Sequence, residues 1–520
     1  MVEKKAKNNT VLYVSIGITA AFVIASIAFT DGMAAVFNKL FSLITTNFGW
    51  LYLVAVAFFI VVAIGLAISP YGKIKLGKDE DKPEFTNFQW FSMLFGGGMG
   101  IGLVFWSVAE PIMHYLSPPI GEGGTQAAMN LAMEKVFFHW GFHPWIIFAI
   151  GGLALAYFQF RKDMPFLISS AFYPLIGDRI YGPIGKTIDI LAVFATIFGV
   201  ATSLGFGSNQ IATGLEYVFG IESSPFIVSI IIAIITAMFT LATMSGLHSA
   251  MQKVADVKIW LSIGFMVFIF VFGGMVFILN NFTNSLGIYL QNLVEQTFWM
   301  GNIEWLNGWT VFYWAWWIAW APFVGQFVAR VSKGRSIREF IIAVSLLPSG
   351  FSLIWIAIYG GAAFNLNSLT GGAIETAVSA NYTTALFALL EQLPLYTITS
   401  VLAIVLIVAC FIGAANSATY VLAMLTSGGD MDPGKKLRGG WGLAQGLITI
   451  VLIVVGGTSA LSVLQTASIA AAFPFMLIMI VMCFSMVKAL KEDYETNYLK
   501  KVKLPDEIIV NEEIVLEENK

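Results

Sequence analysis

Long apolar runs separated by short polar segments make up most of this 520-residue chain. A helix needs about 20 apolar residues to cross a bilayer, and twelve runs approach that length. They lie near residues 11–29, 50–69, 90–110, 136–158, 187–212, 226–244, 259–279, 309–331, 338–363, 396–426, 442–457 and 466–487. Strands of a membrane barrel would show shorter segments of alternating polarity. The pattern therefore predicts an all-α integral membrane protein with twelve transmembrane helices.

Positive charge follows this pattern. Of the 28 Lys and Arg residues, all but Lys39 and Lys135 fall on one side when the twelve runs are threaded through a membrane. Short cytoplasmic loops accumulate Lys and Arg, so we expect both termini in the cytoplasm. Two external connections, near 279–308 and 364–395, contain no basic residue and are predicted to hold short interfacial helices, for example at 285–298.

Composition excludes several classes of protein. Hydrophobic residues make up 58% of the chain and charged residues only 11%, which does not suit a soluble enzyme. A formal charge of −3 gives no reason to expect nucleic acid as a partner. Cys410 and Cys483 both lie in apolar runs, so the chain cannot build a disulfide framework.

Five glycines occur within seven residues of the third run, from Gly96 to Gly102. Each weakens a helix interior by about 1 kcal/mol relative to alanine, so the cluster predicts a break in the helix. Backbone groups freed inside a membrane need new partners, and transporters use such breaks to line a cavity. Close packing against a neighbouring helix is the alternative explanation for these glycines.

The eighth run carries an aromatic face. Four of its residues stand at helical spacings of three and four, on one side of the helix: Tyr313, Trp316, Trp317 and Trp320. Tryptophan usually anchors a helix at the membrane interface, but these positions extend well into the run. Stacked aromatic faces attract a quaternary ammonium through cation–π contacts worth about 0.5–2 kcal/mol each. The pattern predicts an aromatic box, and Pro322 predicts a helix interruption beside it.

Two histidines and two tryptophans open the fourth run. His139 and His143 lie four residues apart, a spacing that can pair metal ligands, but the segment offers no third ligand and Pro144 disturbs the local helix. We therefore expect no metal site there. Trp140 and Trp145 are instead predicted to extend the aromatic box.

These segments together resemble the betaine/carnitine/choline transporter (BCCT) family. The resemblance covers roughly residues 10–490. It rests on Gly98-Met99-Gly100-Ile101-Gly102 with Glu110-Pro111, on His139-Trp140 with His143-Pro144-Trp145, and on Gly308-Trp309-Thr310 with Tyr313-Trp314-Ala315-Trp316-Trp317 and the basic loop between Arg330 and Glu339.

The resemblance implies a LeuT-like fold in which spans 3–7 and 8–12 form two inverted five-helix repeats, assembled as a homotrimer in the plasma membrane. It divides the chain into a cytoplasmic N-terminus at 1–10, two peripheral helices at 11–85, a ten-helix transporter core at 86–490 and a cytoplasmic tail at 491–520. It also implies a mid-membrane site for trimethylammonium solutes. The residues implied for that site are Trp140, Trp145, Phe148, Tyr313, Trp316, Trp317, Trp320, Gly98, Met99, Gly100 and Gly102.

Sodium coupling, common in such transporters, cannot be carried over directly. Members driven by sodium place two adjacent hydroxyl residues in the tenth span, where this chain has Gly413 and Ala414. A second ion site in the fifth span keeps Thr196 but has Val200 one turn later, and Phe323 is the last candidate ion-coupling position. Because a hard cation needs oxygen ligands, we expect weak or absent sodium dependence, with solute exchange or proton coupling as alternatives. No other cofactor is expected.

The leading interpretation is a secondary transporter of quaternary ammonium solutes such as glycine betaine, carnitine or choline. The chain has no GxxxxGK[ST] motif, so ATP is not expected to drive it. An enzyme is disfavoured because the runs hold few ionisable residues beyond Glu110 and four scattered histidines. A membrane sensor that binds the same ligands without moving them shares every feature of the box and is the alternative.

Overall fold

A computed structural model describes residues 9–98, 100–245 and 248–496, and these residues form a bundle of helices. Within these ranges no strand occurs, and the single β-bridge joins Lys75 to Ser336. The helices are α1 (Thr10–Ala28), α2 (Thr30–Ile68), α3 (Asn87–Gly98), α4 (Ile101–Leu116), α5 (Gln126–Trp140), α6 (Phe142–Ala156), α7 (Tyr173–Ile176), α8 (Pro183–Phe219), α9 (Pro225–Ser245), α10 (His248–Phe272), α11 (Met275–Gln291), α12 (Leu293–Phe298), α13 (Ile303–Leu306), α14 (Phe312–Val331), α15 (Ile337–Leu369), α16 (Ala373–Ala380), α17 (Ala385–Glu391), α18 (Tyr396–Thr426), α19 (Lys435–Gly456) and α20 (Ala460–Tyr494). The predicted all-helical class is confirmed.

Ten helices in the described ranges are long and apolar enough to cross a membrane, compared with the twelve predicted. The two other predicted spans are helical but unusual. The third is divided into α3 and α4, which are 12 and 16 residues long. The eighth, α14, has 20 residues, but its tryptophans and tyrosine reduce its hydropathy. The count of twelve spans stays a prediction.

Several boundaries differ from the sequence-based ones. The predicted run at 259–279 is interrupted, because α10 ends at Phe272 and Gly274 adopts a left-handed φ of 99°. Residues 30–49, predicted as a connection, belong to α2, which continues for 39 residues because no proline stops it. The two long external connections do contain short helices, as predicted: α12 and α13 in the first, α16 and α17 in the second. Helix α20 extends past the predicted boundary at residue 490.

Two glycines allow α6 and α14 to cross closely. A Cβ on Gly152 would lie 3.1 Å from the carbonyl oxygen of Gly325, and a Cβ on Gly325 would lie 3.1 Å from the amide nitrogen of Gly152. Small residues at a crossing bring membrane helices into close contact. Helix α14 also packs against α8 and α20, while α4 packs against α5, α8 and α15. This arrangement places the aromatic face of α14 against the break between α3 and α4.

Four arginines gather around the segment that connects α2 to α3. Arg161 donates to Asp79 over 2.9 Å, and Arg330 donates to both carboxylate oxygens of Glu84 over 2.7 and 3.0 Å. Arg335 lies over the ring of Trp90, and Arg338 donates to the carbonyl of Ala67 over 2.6 Å. The four arginines therefore lie on one side of the molecule, as the sequence predicts.

Candidate functional site

The third span is broken where the glycine cluster predicts. Helix α3 ends at Gly98 and α4 begins at Ile101, with Gly100 in an extended conformation at φ −120° and ψ 168°. Close packing, the alternative explanation, also applies at one position. A Cβ on Gly102 would lie 2.7 Å from the ring of Trp316 and 2.9 Å from that of Trp140. The cluster thus both opens the helix and lets two indoles approach it.

The interruption predicted at Pro322 does not occur. Helix α14 continues through this proline from Phe312 to Val331. A membrane helix tolerates proline because neighbouring helices and local adjustments satisfy the freed backbone groups. The irregular turn lies earlier in the span, where Asn307–Val311 is π-helical. Such turns are frequent near functional sites.

A cavity of about 40 Å³ lies where the break meets α5, α6 and α14. Most residues predicted for the aromatic box line it: Trp140, Trp145, Phe148, Trp316, Trp317, Trp320, Gly100 and Gly102. These residues come from the break and from α5, α6 and α14, so separate segments of the sequence meet at one cavity.

Three indole N–H groups of α14 bond to the protein. Trp316 and Trp320 both donate to the backbone carbonyl of Gly199 on α8, over 3.2 and 2.9 Å. Trp317 donates to the carbonyl of His139 over 3.0 Å. The rings of Trp316 and Trp317 are stacked, with centroids 5.0 Å apart and planes at 12°. The N–H groups of these three indoles are already bonded, so the three residues offer aromatic carbon to the cavity, which suits a cation that has no N–H group to donate.

The amino-terminal end of α4 borders the same cavity. Gly100, Gly102 and Leu103 line it, and α4 begins between the two glycines. The first N–H groups of a helix have no partner inside it, and the helix dipole adds partial positive charge there. The cavity therefore combines aromatic surface, which suits a cation, with a helix end that suits a carboxylate.

The buried carboxylate of Glu110 accepts hydrogen bonds from four side chains, one of which lines the cavity. Through Oε1, Glu110 accepts from His139 Nδ1 over 2.6 Å and from His114 Nε2 over 3.1 Å. Through Oε2, it accepts from the indole of Trp140 over 2.8 Å and from the hydroxyl of Tyr313 over 2.5 Å. A carboxylate offers about four acceptor directions, and all four are used here. Glu110 thus fixes one cavity wall, Trp140, together with its neighbour Tyr313.

Two sequence-based expectations fail at this cluster. His114 and His139 are not scattered, and His139 does have further potential ligands nearby, because ligand atoms of Glu110, His114 and His139 lie within 4.8 Å of one another. The four-residue spacing of Glu110 and His114 on one helix face is the signal that predicts their contact. His143 is directed elsewhere, with Nε2 2.8 Å from the hydroxyl of Thr297.

Two predicted site residues do not line the cavity, and a third is not described. Tyr313 is set back from the cavity, and its hydroxyl donates to Glu110. Gly98 is the last residue of α3, beside the break. Met99 lies outside the described residues.

The candidate ion-coupling residues lie on three helices. Thr196 on α8 is buried, and its hydroxyl donates to a carbonyl of its own helix. Gly413 and Ala414 lie on α18, where a Cβ added to Gly413 would meet no atom within 4 Å. The ring of Phe323 on α14 lies 4.9 Å from that of Trp320. Thr196 alone among these four carries a side-chain oxygen.

A larger cavity, of about 350 Å³, lies beyond Phe323. Phe323 lines this cavity and contacts Trp320 of the aromatic box, so it stands between the two spaces. The polar side chains of Thr243 and Asn416 line it, together with Arg330 and Arg438. The larger cavity therefore opens toward the side where the arginines gather.

A bundle of apolar helices with a broken span and an aromatic cavity at the break is typical of membrane transporters of small solutes. The chain matches the sequence profile described as BCCT, betaine/carnitine/choline family transporter, over residues 10–495. It therefore belongs to the betaine/carnitine/choline transporter family.

Individual relatives match over almost their whole length. The chain is 72% identical over 488 residues to the probable glycine betaine transporter of Desulfitobacterium hafniense (strain Y51), covering 94% of this chain and 98% of that protein. It is 44% identical to the glycine betaine transporter OpuD of Bacillus subtilis (strain 168), covering 96% and 97%. It is 41% identical to the ectoine/hydroxyectoine transporter of Virgibacillus pantothenticus, covering 94% and 98%.

Proposed function

We propose that this protein is a secondary transporter of quaternary ammonium solutes, with glycine betaine as the preferred substrate and carnitine and choline as related candidates. The observation that carries the proposal is the cavity in which five indoles meet the amino-terminal end of α4. Two of the relatives described above are named as glycine betaine transporters, which supports the same substrate.

Each end of glycine betaine has a matching part of the cavity. The trimethylammonium group lies among the indole rings, where each cation–π contact contributes about 0.5–2 kcal/mol. The carboxylate lies toward the break, near the free N–H groups at the start of α4. Phe148, which lines the same cavity, adds ring surface without a hydroxyl.

The larger cavity gives the solute a route away from the box. Phe323 stands between the two cavities, so its displacement connects them. The arginines on that side favour a cytoplasmic location, because basic residues accumulate there. We therefore assign the larger cavity to the cytoplasmic half of the pathway.

The proposal extends to the architecture. It includes twelve spans with both termini in the cytoplasm, two inverted five-helix repeats at spans 3–7 and 8–12, and a homotrimer in the plasma membrane. It keeps the division into an N-terminus (1–10), two peripheral helices (11–85), a ten-helix core (86–490) and a tail (491–520). The break in the third span supports a transporter core, and the clustered arginines support a cytoplasmic location for that side of the molecule.

Competition against labelled glycine betaine tests the substrate. Dimethylglycine should compete less well than glycine betaine, and glycine should hardly compete, because the box offers ring faces rather than hydrogen-bond acceptors. Choline, which lacks the carboxylate, tests the contribution of the helix end. Equal competition by glycine would contradict the assignment to quaternary ammonium solutes.

Flux through reconstituted vesicles separates a transporter from a sensor. Vesicles that contain the protein should accumulate or exchange labelled glycine betaine, whereas a sensor would show saturable binding without flux. Vesicles prepared without protein provide the control.

A further inference from the structure

A serine that was not predicted from the sequence lines the aromatic cavity. Ser352 lies on α15 and is only 2% exposed. Among the described residues around the cavity, it alone carries a hydroxyl. Two other buried serines of this helix donate to backbone carbonyls, Ser345 to that of Ile341 and Ser349 to that of Gly141. The Ser352 hydroxyl has no hydrogen-bond partner within the described part of the chain, so it is available to a ligand.

Helix α15 runs parallel to the broken third span. Just before α15, Arg335 donates to the side-chain oxygen of Asn87 at the start of α3 over 2.5 Å. Farther along, a Cβ on Gly360 would lie 3.0 Å from the ring of Pro111 in α4. Ser352 precedes Gly360 by eight residues, and the same step back from Pro111 reaches the first turn of α4. Because both helices rise by about 1.5 Å per residue, Ser352 is level with that turn, next to the break.

The carboxylate of glycine betaine needs several hydrogen-bond donors, because its oxygens offer about four acceptor directions. The free N–H groups at the start of α4 approach it from one side. The indoles of Trp316, Trp317 and Trp320 donate to backbone carbonyls instead. A hydroxyl that is buried without a partner is unfavourable, so a carboxylate oxygen beside Ser352 satisfies both groups.

We propose that the Ser352 hydroxyl donates a hydrogen bond to the carboxylate of the bound solute and thereby selects glycine betaine over quaternary ammonium ions that lack a carboxylate. The inference rests on the proposed transport function. It adds a specificity-determining residue from α15, a helix that contributes no residue to the aromatic box.

Paired binding measurements on the purified protein test this assignment. Tetramethylammonium resembles the cationic end of glycine betaine but has no carboxylate, so it reports on the aromatic box alone. Ser352→Ala should raise the dissociation constant for glycine betaine about tenfold, because a hydrogen bond to a charged group is lost, and should leave that for tetramethylammonium unchanged. Titrations followed by tryptophan fluorescence measure both constants, and their ratio within one variant is the deciding result.

Two further variants separate the hydroxyl from the space that it fills. Ser352→Cys nearly keeps the side-chain volume but offers only a weak donor, so the ratio should change as it does in Ser352→Ala. It also supplies the same comparison if Ser352→Ala does not fold. Ser349→Ala is the matched control, since Ser349 lies one turn earlier on α15 and donates to the protein, and it should leave the ratio unchanged.

The outcomes separate this inference from the proposed function. An unchanged ratio in the folded Ser352 variants would overturn the inference and leave the transporter proposal standing. Equal weakening of both ligands would also overturn it, because the side chain would then only support the cavity wall. If the wild-type protein does not bind glycine betaine, the proposed function fails, and this inference fails with it.

Discussion

At the scale of single residues, the indoles of α14 allow a direct test of the box. Trp317 and Trp320 line the cavity, whereas Trp309, on the same span, does not. Trp317→Ala and Trp320→Ala should each weaken glycine betaine binding by about 1–3 kcal/mol, through lost cation–π energy and lost packing. Isothermal titration of the purified variants measures the change.

Trp309→Ala is the control for these two variants. It removes an indole of the same size from a half-buried position and should affect affinity much less. If all three folded variants bind glycine betaine as tightly as the wild type, the indoles have only a structural role.

Glu110 should determine affinity without touching the solute. Glu110→Gln keeps the side-chain shape but turns an amide NH2 toward groups that are themselves donors, including Trp140 and Tyr313. Loss of hydrogen bonds to a charged group costs about 1.5–3 kcal/mol, so the dissociation constant for glycine betaine should rise about tenfold or more.

Glu134→Gln is the matched control for Glu110→Gln. Glu134 is also buried, but its carboxylate accepts from the amides of Asn292 and Gln296, away from the box. The affinity of the Glu134→Gln variant for glycine betaine should stay close to that of the wild type. If the two variants lose affinity to the same extent, Glu110 has no particular role in positioning the walls.

At the scale of elements, the helix break gives a test within one span. Gly102→Ala places a Cβ within 3 Å of two cavity indoles, Trp140 and Trp316, and should narrow the cavity. Overpacking of this kind costs about 1–3 kcal/mol, so solute affinity should fall roughly tenfold. Gly96→Ala is the control, because a Cβ there meets no atom within 4 Å. Comparable losses of affinity in both variants would contradict this explanation.

The local sequence correctly predicted the break in the third span, but it wrongly predicted an interruption of α14 at Pro322. Five glycines in seven residues weaken a helix by themselves, so composition is sufficient evidence near Gly100. The effect of Pro322 depends on which neighbours satisfy the freed backbone, and only the packed structure supplies them. The same limit explains Glu110, because three of its four partners come from other helices. Spacing along one helix indicates only His114.

Helix periodicity predicted which residues line the cavity better than it predicted where the helices end. Trp316, Trp317 and Trp320 share a face that follows from spacing alone, and all three line one cavity. Helix ends depend on weaker signals. Residues 30–49 contain polar side chains but no proline, and they form the first half of α2 instead of a loop.

At the scale of the whole molecule, Arg161 joins three distant segments. It donates to Asp79 in the connection after α2 and to Asp493 near the end of α20, and the side chains of Arg161 and Asp493 are almost fully buried. Arg161→Met should lower the free energy of unfolding by about 3 kcal/mol, because it leaves a buried carboxylate without its main partner. The melting temperature in detergent measures this loss.

Two further variants complete the test of Arg161. Arg161→Met combined with Asp493→Leu should recover much of the stability, since the buried carboxylate is removed together with its partner. Arg330→Met removes an arginine whose partner, Glu84, is largely exposed, and should cost only about 0–1 kcal/mol. A double variant as unstable as Arg161→Met alone would contradict the role assigned to this ion pair.

The carbonyl of Gly199 makes the box depend on how α8 and α14 are aligned. The indoles of Trp316 and Trp320 both donate to this one oxygen. A shift of one helix along the other by a single residue, about 1.5 Å, would therefore strain both hydrogen bonds. A solute that holds the indoles in place therefore also holds the two helices in register. Because such coupling is reciprocal, anything that fixes this register from outside, such as a lipid or an antibody fragment, can tighten solute binding without reaching the cavity.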